Sequence, residues 1–306
     1  MRVAITGASG MVGVPTLAAA RASGHDAVPL SRRGEGPAID LRRSEGLAEV
    51  LHGSEAVVHL AAAMTGPDLE ADNARMTATL LNAMAEARVN RLVLMSSLSV
   101  LDVKALPAGA TVDASVPRAS GDEGLGPYAR AKRAQEVAAE AWRAGDGGRT
   151  LFQLRAGLVY GPGRLAPAHA GFGLRELGLT VTHDGEVPVL HVAAAADAVC
   201  RALSAEPSCE GAFLLVDDGL PTQTEYLRAL SALGALPAWS TPVPWRVFSG
   251  LAGAARGAAR LAGRPAPETF RAGSVAARYR PLRFRNDAAK AALRWDPGAR
   301  FSETFR

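Results

Sequence analysis

Cysteine is almost absent from this sequence, and its scarcity excludes two classes of protein. Only Cys200 and Cys209 occur in the 306 residues. Two cysteines cannot form the multiple bridges of a small secreted domain, and their spacing matches no common zinc motif. We therefore expect two unpaired thiols, no metal site and a reducing compartment, the cytoplasm.

Long apolar runs and blocks of like charge are also missing. The most membrane-like stretch, residues 243–262, carries three arginines, which a spanning helix tolerates poorly. No signal-peptide pattern is apparent at the start of the sequence. The net charge of +4 is spread along the chain, whereas nucleic-acid binding requires clustered cations. We expect neither a membrane span nor a nucleic-acid partner.

Strand-like and helix-like patterns alternate along the first two thirds of the chain. The predicted strands are the apolar runs at 2–6, 27–30, 56–61, 91–96, 151–154 and 212–216. The helical patterns between them cover 12–22, 47–51, 73–86, 128–142 and 192–203. This alternation indicates βαβ units, so we predict an α/β fold with a Rossmann-type, doubly wound parallel sheet.

The sequence predicts two units, each made of two separate segments of the chain. Residues 1–162 and 190–218 form the nucleotide-binding domain. Residues 163–189 and 219–306, where periodicity is weak or interrupted by proline, form a smaller C-terminal substrate-binding lobe.

The turn after the first predicted strand reads T-G-A-S-G-M-V-G. Gly7 permits the sharp turn, Gly10 lets the backbone approach a pyrophosphate, and Gly13 lets the helix pack on the strand. The N–H groups that open the following helix also favour phosphate. The strand–turn–helix context favours a dinucleotide site over an ordinary tight turn. The predicted contacts are Thr6, Gly7, Ser9, Gly10, Met11, Val12 and Gly13.

The end of the second predicted strand lacks the acid that usually binds the ribose 2′-hydroxyl of NAD. Ser31 stands there, followed by Arg32 and Arg33. A 2′-phosphate requires a cation without a neighbouring carboxylate. Two solvated surface arginines are the alternative. We predict NADP(H) in preference to NAD(H), bound in part by these three residues.

Tyr128 and Lys132 lie four residues apart at the start of a predicted helix, so their side chains share one face. An ammonium beside a phenol favours the phenolate and brings tyrosine toward useful acid–base strength. Ser97, at the end of the strand 91–96, is placed to polarise the same substrate oxygen, because ligands bind at that edge of such sheets. We predict these three residues to be catalytic.

Together these motifs resemble the extended short-chain dehydrogenase/reductase family, the NAD(P)-dependent epimerases and dehydratases, over nearly the whole chain. V-V-H-L-A-A at 57–62, Y-A-R-A-K at 128–132 and L-R-A-G-L-V-Y-G-P-G at 154–163 carry the resemblance with the glycine turn. It implies a substrate-binding C-terminal domain and a homodimer. The further cofactor contacts it implies, beside Tyr128 and Lys132, are Asp40, Leu41, Leu60, Ala61, Ala62, Asn73, Ser96, Ala156, Gly157 and Val159.

Two departures from the nucleotide-sugar members concern the substrate. Those members carry R-D shortly before the position of His191, and here E-V-P-V-L stands there, without a cation for phosphate. The tail resembles 3β-hydroxysteroid-dehydrogenase-like members. Its segment 243–262 is expected to form a helix whose stripe of Phe248, Leu251 and Ala255 walls the cleft; an ordinary packing helix is the alternative. The predicted substrate contacts are Ser99, Tyr160, His183, Trp245 and Phe248.

The sequence thus favours an NAD(P)H-dependent carbonyl reductase, or the reverse alcohol dehydrogenase, on a small and partly apolar molecule. Tyr128 supplies the proton and the nicotinamide supplies the hydride. A nucleotide-sugar epimerase or dehydratase with the same three residues is the alternative. A non-enzymatic NADP-binding sensor is the third reading.

Overall fold

The computed structural model describes residues 1–43, 45–122, 124–174, 177–237, 239–267, 270–298 and 300–305. Of residues 172–174 and 177 it describes the backbone. The strands are β1 Arg2–Thr6, β2 Asp26–Leu30, β3 Ala56–His59, β4 Arg91–Ser97, β5 Thr111–Val112, β6 Thr150–Ala156, β7 Leu158–Tyr160, β8 Gly171–Leu174, β9 Leu177–Thr182, β10 Val189–His191, β11 Gly211–Leu215, β12 Trp239–Pro244 and β13 Arg283–Phe284.

Helices alternate with most of these strands. They are α1 Gly13–Ala22, α2 Leu47–Leu51, α3 Leu69–Glu86, α4 Pro127–Ala144, α5 Val192–Ser204, α6 Gln223–Ala232, α7 Trp245–Leu261, α8 Ala272–Tyr279, α9 Asp287–Leu293 and α10 Phe301–Thr304. Within the described ranges, no helix is long and apolar enough to cross a membrane.

One sheet organises the molecule and confirms the predicted fold class. Its six strands run parallel in the order β11-β6-β4-β3-β1-β2. The chain leaves β1 toward β2 on one side and returns to β3 on the other. Ligands of doubly wound sheets bind where the strand order reverses, at the carboxyl ends of the strands. The cofactor cleft is therefore expected beyond the ends of β1 and β3.

Both faces of the sheet are covered, which explains why its strands are continuous apolar runs. Val3 and Ile5 pack into a core that includes α5, whereas Ala4 points into the core beneath α3. Successive residues of a strand point to opposite faces, so both sets are buried. All four of Ala56–His59 are buried accordingly.

The smaller lobe contains structure that the sequence did not predict. Residues 164–189 have no clear period, yet β8 and β9 lie there and join β12 in a three-stranded sheet. Helices α7 and α8 pack beside it around Val181, Phe248 and Tyr279. Every strand of the large sheet falls within the predicted nucleotide-binding unit. The exact boundaries of the two units stay a prediction.

Some predicted boundaries were wrong. β3 ends at His59 instead of residue 61, and α3 begins at Leu69 instead of Asn73. The segment before α7 forms a strand, β12, which pairs in parallel with β9. These ends are decided by contacts between distant segments, which local periodicity does not report.

Candidate active site and nucleotide cleft

The glycine turn packs so tightly that side chains are excluded from it. Gly7 has φ +69°, and a Cβ there would lie 2.7 Å from the amide nitrogen of Ala61. A Cβ on Gly13 would lie 2.1 Å from the carbonyl oxygen of Gly7. Thr6 fixes the same region, because its Oγ1 accepts hydrogen bonds from the amides of Leu60 and Ala61 at 3.2 and 3.3 Å. The turn, β3 and α1 thus form one rigid cradle of the kind that a pyrophosphate requires.

A cavity of about 270 Å³ lies beside this cradle. It brings together ten of the predicted cofactor contacts, namely Gly7, Ser9, Gly10, Ser31, Arg32, Asp40, Leu41, Leu60, Ala61 and Ala62. Sequence reasoning missed six further lining residues, Leu30, Ile39, Arg42, Ala63, Asp72 and Met76. These residues surround the expected adenosine half of a dinucleotide, and their chemistry fits such a group.

Charged side chains line the outer end of this cavity. The Arg42 guanidinium holds both oxygens of Asp40, with Nε–Oδ1 3.0 Å and Nη2–Oδ2 2.7 Å. These bonds lower the pKa of Asp40 to about 2, although burial opposes this shift. The charge of Arg32 lowers the pKa of Asp40 further. Arg42 was not predicted, because it belongs to no motif and its pairing with Asp40 shows only in three dimensions.

Arg32 and Arg33 differ in their placement. Arg32 lines the cavity. Arg33 does not line it, and its carbonyl oxygen accepts a 2.5 Å hydrogen bond from the Ser31 hydroxyl. The nearby Glu35 carboxylate is paired with Arg21. Arg32 is thus the member of the pair placed to meet a phosphate in the cavity.

The three predicted catalytic side chains meet where β4 ends against α4. The Ser97 hydroxyl lies close enough to the Tyr128 hydroxyl to influence its pKa. Burial raises the pKa of Tyr128, and the neighbouring Ser97 hydroxyl opposes the rise. Lys132 is 4% exposed, and its Nζ donates to the carbonyl oxygen of Met95 over 2.8 Å. Burial lowers the pKa of Lys132 to about 8 against the pull of Glu136.

Two serines flank Ser97. The amide and hydroxyl of Ser99 both donate to the Ser97 oxygen, at 3.2 and 3.0 Å. Ser97 accepts these bonds, so its own proton is left to donate to a phenolic or substrate oxygen. Ser96 is 3% exposed, and its Oγ has no hydrogen-bond partner in the described part of the chain. An unpaired buried hydroxyl at this edge is consistent with its predicted role as a cofactor contact.

A buried charge network that sequence reasoning missed lies one turn beyond Lys132. The Glu136 carboxylate is 0% exposed and receives Nε and Nη2 of Arg155 at 3.0 and 2.9 Å. Arg118 bonds both Glu136 and Glu140. The four-residue spacing from Tyr128 through Lys132, Glu136 and Glu140 was the available signal, since it puts all four on one helix face.

Asn73 does not face the cofactor cavity, which corrects its predicted role. It is 2% exposed, its Oδ1 accepts from the Ala63 amide at 3.1 Å, and its Nδ2 donates to the carbonyls of Ala63 and Leu69. Every hydrogen-bonding group of the amide is thus directed at backbone. Asn73 positions the loop after β3 that lines the cavity.

The remaining predicted cofactor contacts lie outside the cavity. A Cβ on Gly157 would lie 2.3 Å from the carbonyl oxygen of Pro188, so this glycine allows β7 to approach β10. Ala156 is buried in β6 opposite Ser97. Met11, Val12 and Val159 are half-buried, and Val12 and Val159 pack against the main core. Their contact with a nicotinamide stays a prediction.

A second cavity, of about 140 Å³, reaches the predicted catalytic residues through Ser99, whose hydroxyl is bonded to Ser97. Its walls come from the segments 99–104 and 119–121, from Leu125, and from Gly273 and Ala277 of α8. Ser99, a predicted substrate contact, lies in it. Helix α8 is pressed against the segment before α4, because a Cβ on Gly273 would lie 2.5 Å from the Gly124 oxygen. α8, and not α7, is therefore the helix of the small lobe that lines this cavity.

The other predicted substrate contacts are displaced from this cavity. Phe248 is 1% exposed and packs edge-on against Tyr279 with centroids 5.0 Å apart. Trp245 is half-buried against the same cluster. The predicted apolar stripe was also wrong, because Leu251 is 58% exposed while Ala252 is buried. Phe248 is a core residue of the small lobe, so it cannot wall the cleft.

Tyr160 and His183 also lie away from both cavities. Tyr160 is 0% exposed, and its hydroxyl donates to Asp217 Oδ2 over 2.7 Å. Its placement among Phe301 and Phe305 excludes a substrate contact. His183 is half-buried, and its Nδ1 accepts from the Gly185 amide at 3.1 Å. Burial lowers its pKa to about 4.

Residues 3–211 match the family described as the NAD dependent epimerase/dehydratase family. This match covers more than half of the chain, so the protein belongs to that family. Membership indicates an enzyme of the NAD-dependent epimerase/dehydratase type. No curated protein matches the chain by sequence.

Solved structures of the same fold are distant in sequence. The UDP-N-acetylglucosamine 4-epimerase from Bacillus cereus has a TM-score of 0.68 and 19% identity, over 100% of this chain and 96% of its own. The UDP-glucose 4-epimerase from Thermus thermophilus, in complex with NAD, scores 0.67 with 22% identity over 97% and 94%. A short-chain dehydrogenase/reductase superfamily protein from Agrobacterium tumefaciens with bound NAD scores 0.69 with 17% identity over 100% and 95%.

Proposed function

We propose that this protein is an NADPH-dependent carbonyl reductase, or the reverse alcohol dehydrogenase, acting on a small and partly apolar molecule. The observation that carries the proposal is the meeting of Ser97, Tyr128 and Lys132 between a dinucleotide cradle and a small cavity. When bound, the nicotinamide supplies the hydride. Assignment to the 3β-hydroxysteroid-dehydrogenase-like subgroup belongs to this proposal.

Each catalytic side chain has one task in this reaction. Tyr128 donates its phenolic proton to the carbonyl oxygen of the substrate. Ser97 donates a second hydrogen bond to that oxygen, and Ser99 orients it by occupying its acceptor sites. The Lys132 ammonium stabilises the phenolate that the transfer leaves behind, which favours the transfer. In the dehydrogenase direction the same proton returns to Tyr128.

The pairing of arginines in the C-terminal segment supports a small substrate instead of a nucleotide-sugar. Glu186, which stands shortly before His191, faces the guanidinium groups of Arg283 and Arg285 at 3.7 and 3.6 Å. Arg280 donates to the carbonyl oxygens of Lys104 and Leu106. These cations already have partners, whereas a diphosphate requires cations that are free to bind it. A cavity of about 140 Å³ also suits a small molecule.

Preference for NADP(H) over NAD(H) is part of the proposal. Arg32 lines the cofactor cavity next to Ser31, where an acid would repel a 2′-phosphate. Two acids line the cavity, Asp40 and Asp72, and Arg42 is paired with both. The cytoplasmic location and the homodimer also stay proposals.

Substrate profiling of the purified protein tests the function. With NADPH, a panel of small aromatic and aliphatic ketones is expected to contain substrates, and UDP-sugars are expected neither to turn over nor to compete. The dinucleotide that copurifies is identified by mass spectrometry. If the protein retained NAD firmly and epimerised a UDP-sugar, its function would be that of an epimerase and not that of a reductase. Binding of NADPH with no turnover of either class would favour a non-enzymatic sensor.

A further inference from the structure

Helix α7 has a second apolar face that nothing in the described structure covers. Five residues recur at spacings of four and three and so form one line along the helix. They are all exposed, and they are Val247, Leu251, Ala254, Ala258 and Leu261. Val247, Leu251 and Leu261 are 53%, 58% and 92% exposed. We call these five residues the outer stripe.

The outer stripe is not part of the packing of the small lobe. A different face of α7, which carries Phe248 and Ala252, packs into the core of the small lobe. These two residues are 1% and 0% exposed. The helix therefore shows one apolar face to the protein and another to solvent. A surface helix of a soluble domain ordinarily has a polar outer face.

Exposed large apolar side chains are concentrated in this part of the described surface. Nine occur in all, and five of them fall between residues 233 and 261, namely Leu233, Trp239, Val247, Leu251 and Leu261. Scattered single residues of this kind need no explanation, but a contiguous set marks an interaction surface. Trp239, which is 71% exposed, lies on the strand that leads into α7.

The charge around the outer stripe has one sign. The sequence has 30 acids in 306 residues, or about one in ten, yet residues 226–267 contain none and carry five arginines. Arg246, Arg260 and Arg264 are exposed. At 100° per residue, Arg246 and Arg260 fall on the same flank of the stripe. Among the described residues, no ion pair joins these three arginines to a carboxylate.

We propose that the outer stripe and its arginines dock the protein on an anionic lipid surface, with α7 lying in the plane of the membrane. An apolar face enters the boundary between headgroups and acyl chains, and arginines beside it bind anionic headgroups. A second copy of this chain is disfavoured as the occupant, because pairing two outer stripes would bring the arginine flanks close without a carboxylate between them. Docking in the interface requires no spanning helix.

The docking helix is separated from the smaller cavity by one helix, α8. α7 packs on α8, and Gly273 and Ala277 of α8 line that cavity. The proposal does not depend on the reductase function, since it rests on the exposed face of α7 alone.

Vesicle sedimentation with the full-length protein tests the docking. Vesicles of phosphatidylcholine with about 30% phosphatidylglycerol are compared with pure phosphatidylcholine vesicles. We expect binding to the anionic vesicles only, weakened by added salt. Leu251→Glu and Leu261→Glu should each weaken it by about tenfold or more, because each places a charge where an apolar group is buried on docking. Val14→Glu changes an equally exposed apolar residue, at 59%, outside the stripe and should bind normally.

Several outcomes would overturn the proposal. They are absence of binding to anionic vesicles, equal binding to both kinds of vesicle, and normal binding by both stripe variants. Thermal melting shows that the variants are folded, and both changed residues are exposed. Self-association at rising protein concentration that disappears in Leu251→Glu, without vesicle binding, would assign the outer stripe to a second copy of the chain.

Discussion

The ammonium of Lys132 donates a 2.8 Å hydrogen bond to the main-chain carbonyl of Met95. This bond ties the catalytic helix α4 to β4, the strand that ends in Ser97. It also holds a cation in a buried position, where the charged form is disfavoured by loss of hydration. The position of Lys132 therefore determines both the geometry of the site and its response to pH.

Activity is expected to fall as the pH rises through about 8. Burial lowers the pKa of Lys132 from 10.5 to about 8, so this lysine is charged below that pH and neutral above it. Only the charged form stabilises the Tyr128 phenolate, so kcat/KM for reduction should be level below pH 8 and decline above it. Lys132→Arg should move the decline upward, because a guanidinium stays protonated. If kcat/KM of Lys132→Arg declined at the same pH as that of the unsubstituted protein, the decline would arise from the titration of another group.

Tyr128→Phe should abolish proton transfer while the cofactor still binds. The substitution removes the hydroxyl but keeps the ring, so turnover should drop on the order of 10²–10⁴-fold. NADPH titration by fluorescence should show near-normal affinity. Tyr279→Phe is the matched control, since its hydroxyl makes a 3.3 Å bond to the Gly171 carbonyl away from the catalytic residues. Near-normal turnover by Tyr128→Phe would remove this residue from the mechanism.

Arg32→Ala should erase most of the preference for NADPH over NADH. A charge-assisted hydrogen bond contributes about 1.5–3 kcal/mol, so the affinity ratio should change by roughly 10- to 100-fold. Arg33→Ala should leave the ratio nearly unchanged, because Arg33 does not line the cavity. Dissociation constants of both dinucleotides for all three proteins provide the measurement. Equal affinities in the unsubstituted protein would contradict the assignment of NADP(H).

Glu136→Gln should destabilise the protein strongly. It neutralises a side chain that is 0% exposed and removes the ionic partner of Arg155, which is 8% exposed. Breaking a buried ion pair costs about 3–5 kcal/mol. The free energy of unfolding is measured by urea denaturation. Glu35→Gln, which breaks an exposed pair with Arg21, should cause little change. Equal effects of the two substitutions would show that the buried network does not stabilise the fold.

Ala277→Leu and Phe248→Ala should separate the substrate cavity from the lobe core. The larger side chain at Ala277 fills part of a cavity of about 140 Å³, so KM for bulky ketones should rise with little change in stability. Phe248→Ala empties a buried site and should cost about 3–5 kcal/mol in stability. Thermal unfolding and KM are measured for both variants. A KM effect confined to Phe248→Ala would restore α7 as the wall of the substrate site.

Features that depend on neighbouring residues were predicted well. The alternation of strands and helices was confirmed. Strands of a parallel sheet are buried on both faces, so they are continuous apolar runs that can be recognised in the sequence. The glycine turn lies at the cavity, since a short motif specifies its own backbone geometry. Tyr128 and Lys132 meet Ser97, because one helix turn and one strand end suffice to place them.

By itself, then, the sequence determined the fold class and the glycine turn, while the catalytic roles of Ser97, Tyr128 and Lys132 stay a prediction. Only the tertiary structure showed that Arg42 pairs with Asp40 at the cavity, that Asn73 hydrogen-bonds main-chain groups, and that Phe248 is buried in the core of the small lobe. The physical reason is that a helix pattern shows which residues are apolar, but the neighbours that pack against a helix determine which apolar face is buried. For α7 those neighbours are α8, β9 and β12, and they cover the face with Phe248 while the outer stripe stays exposed.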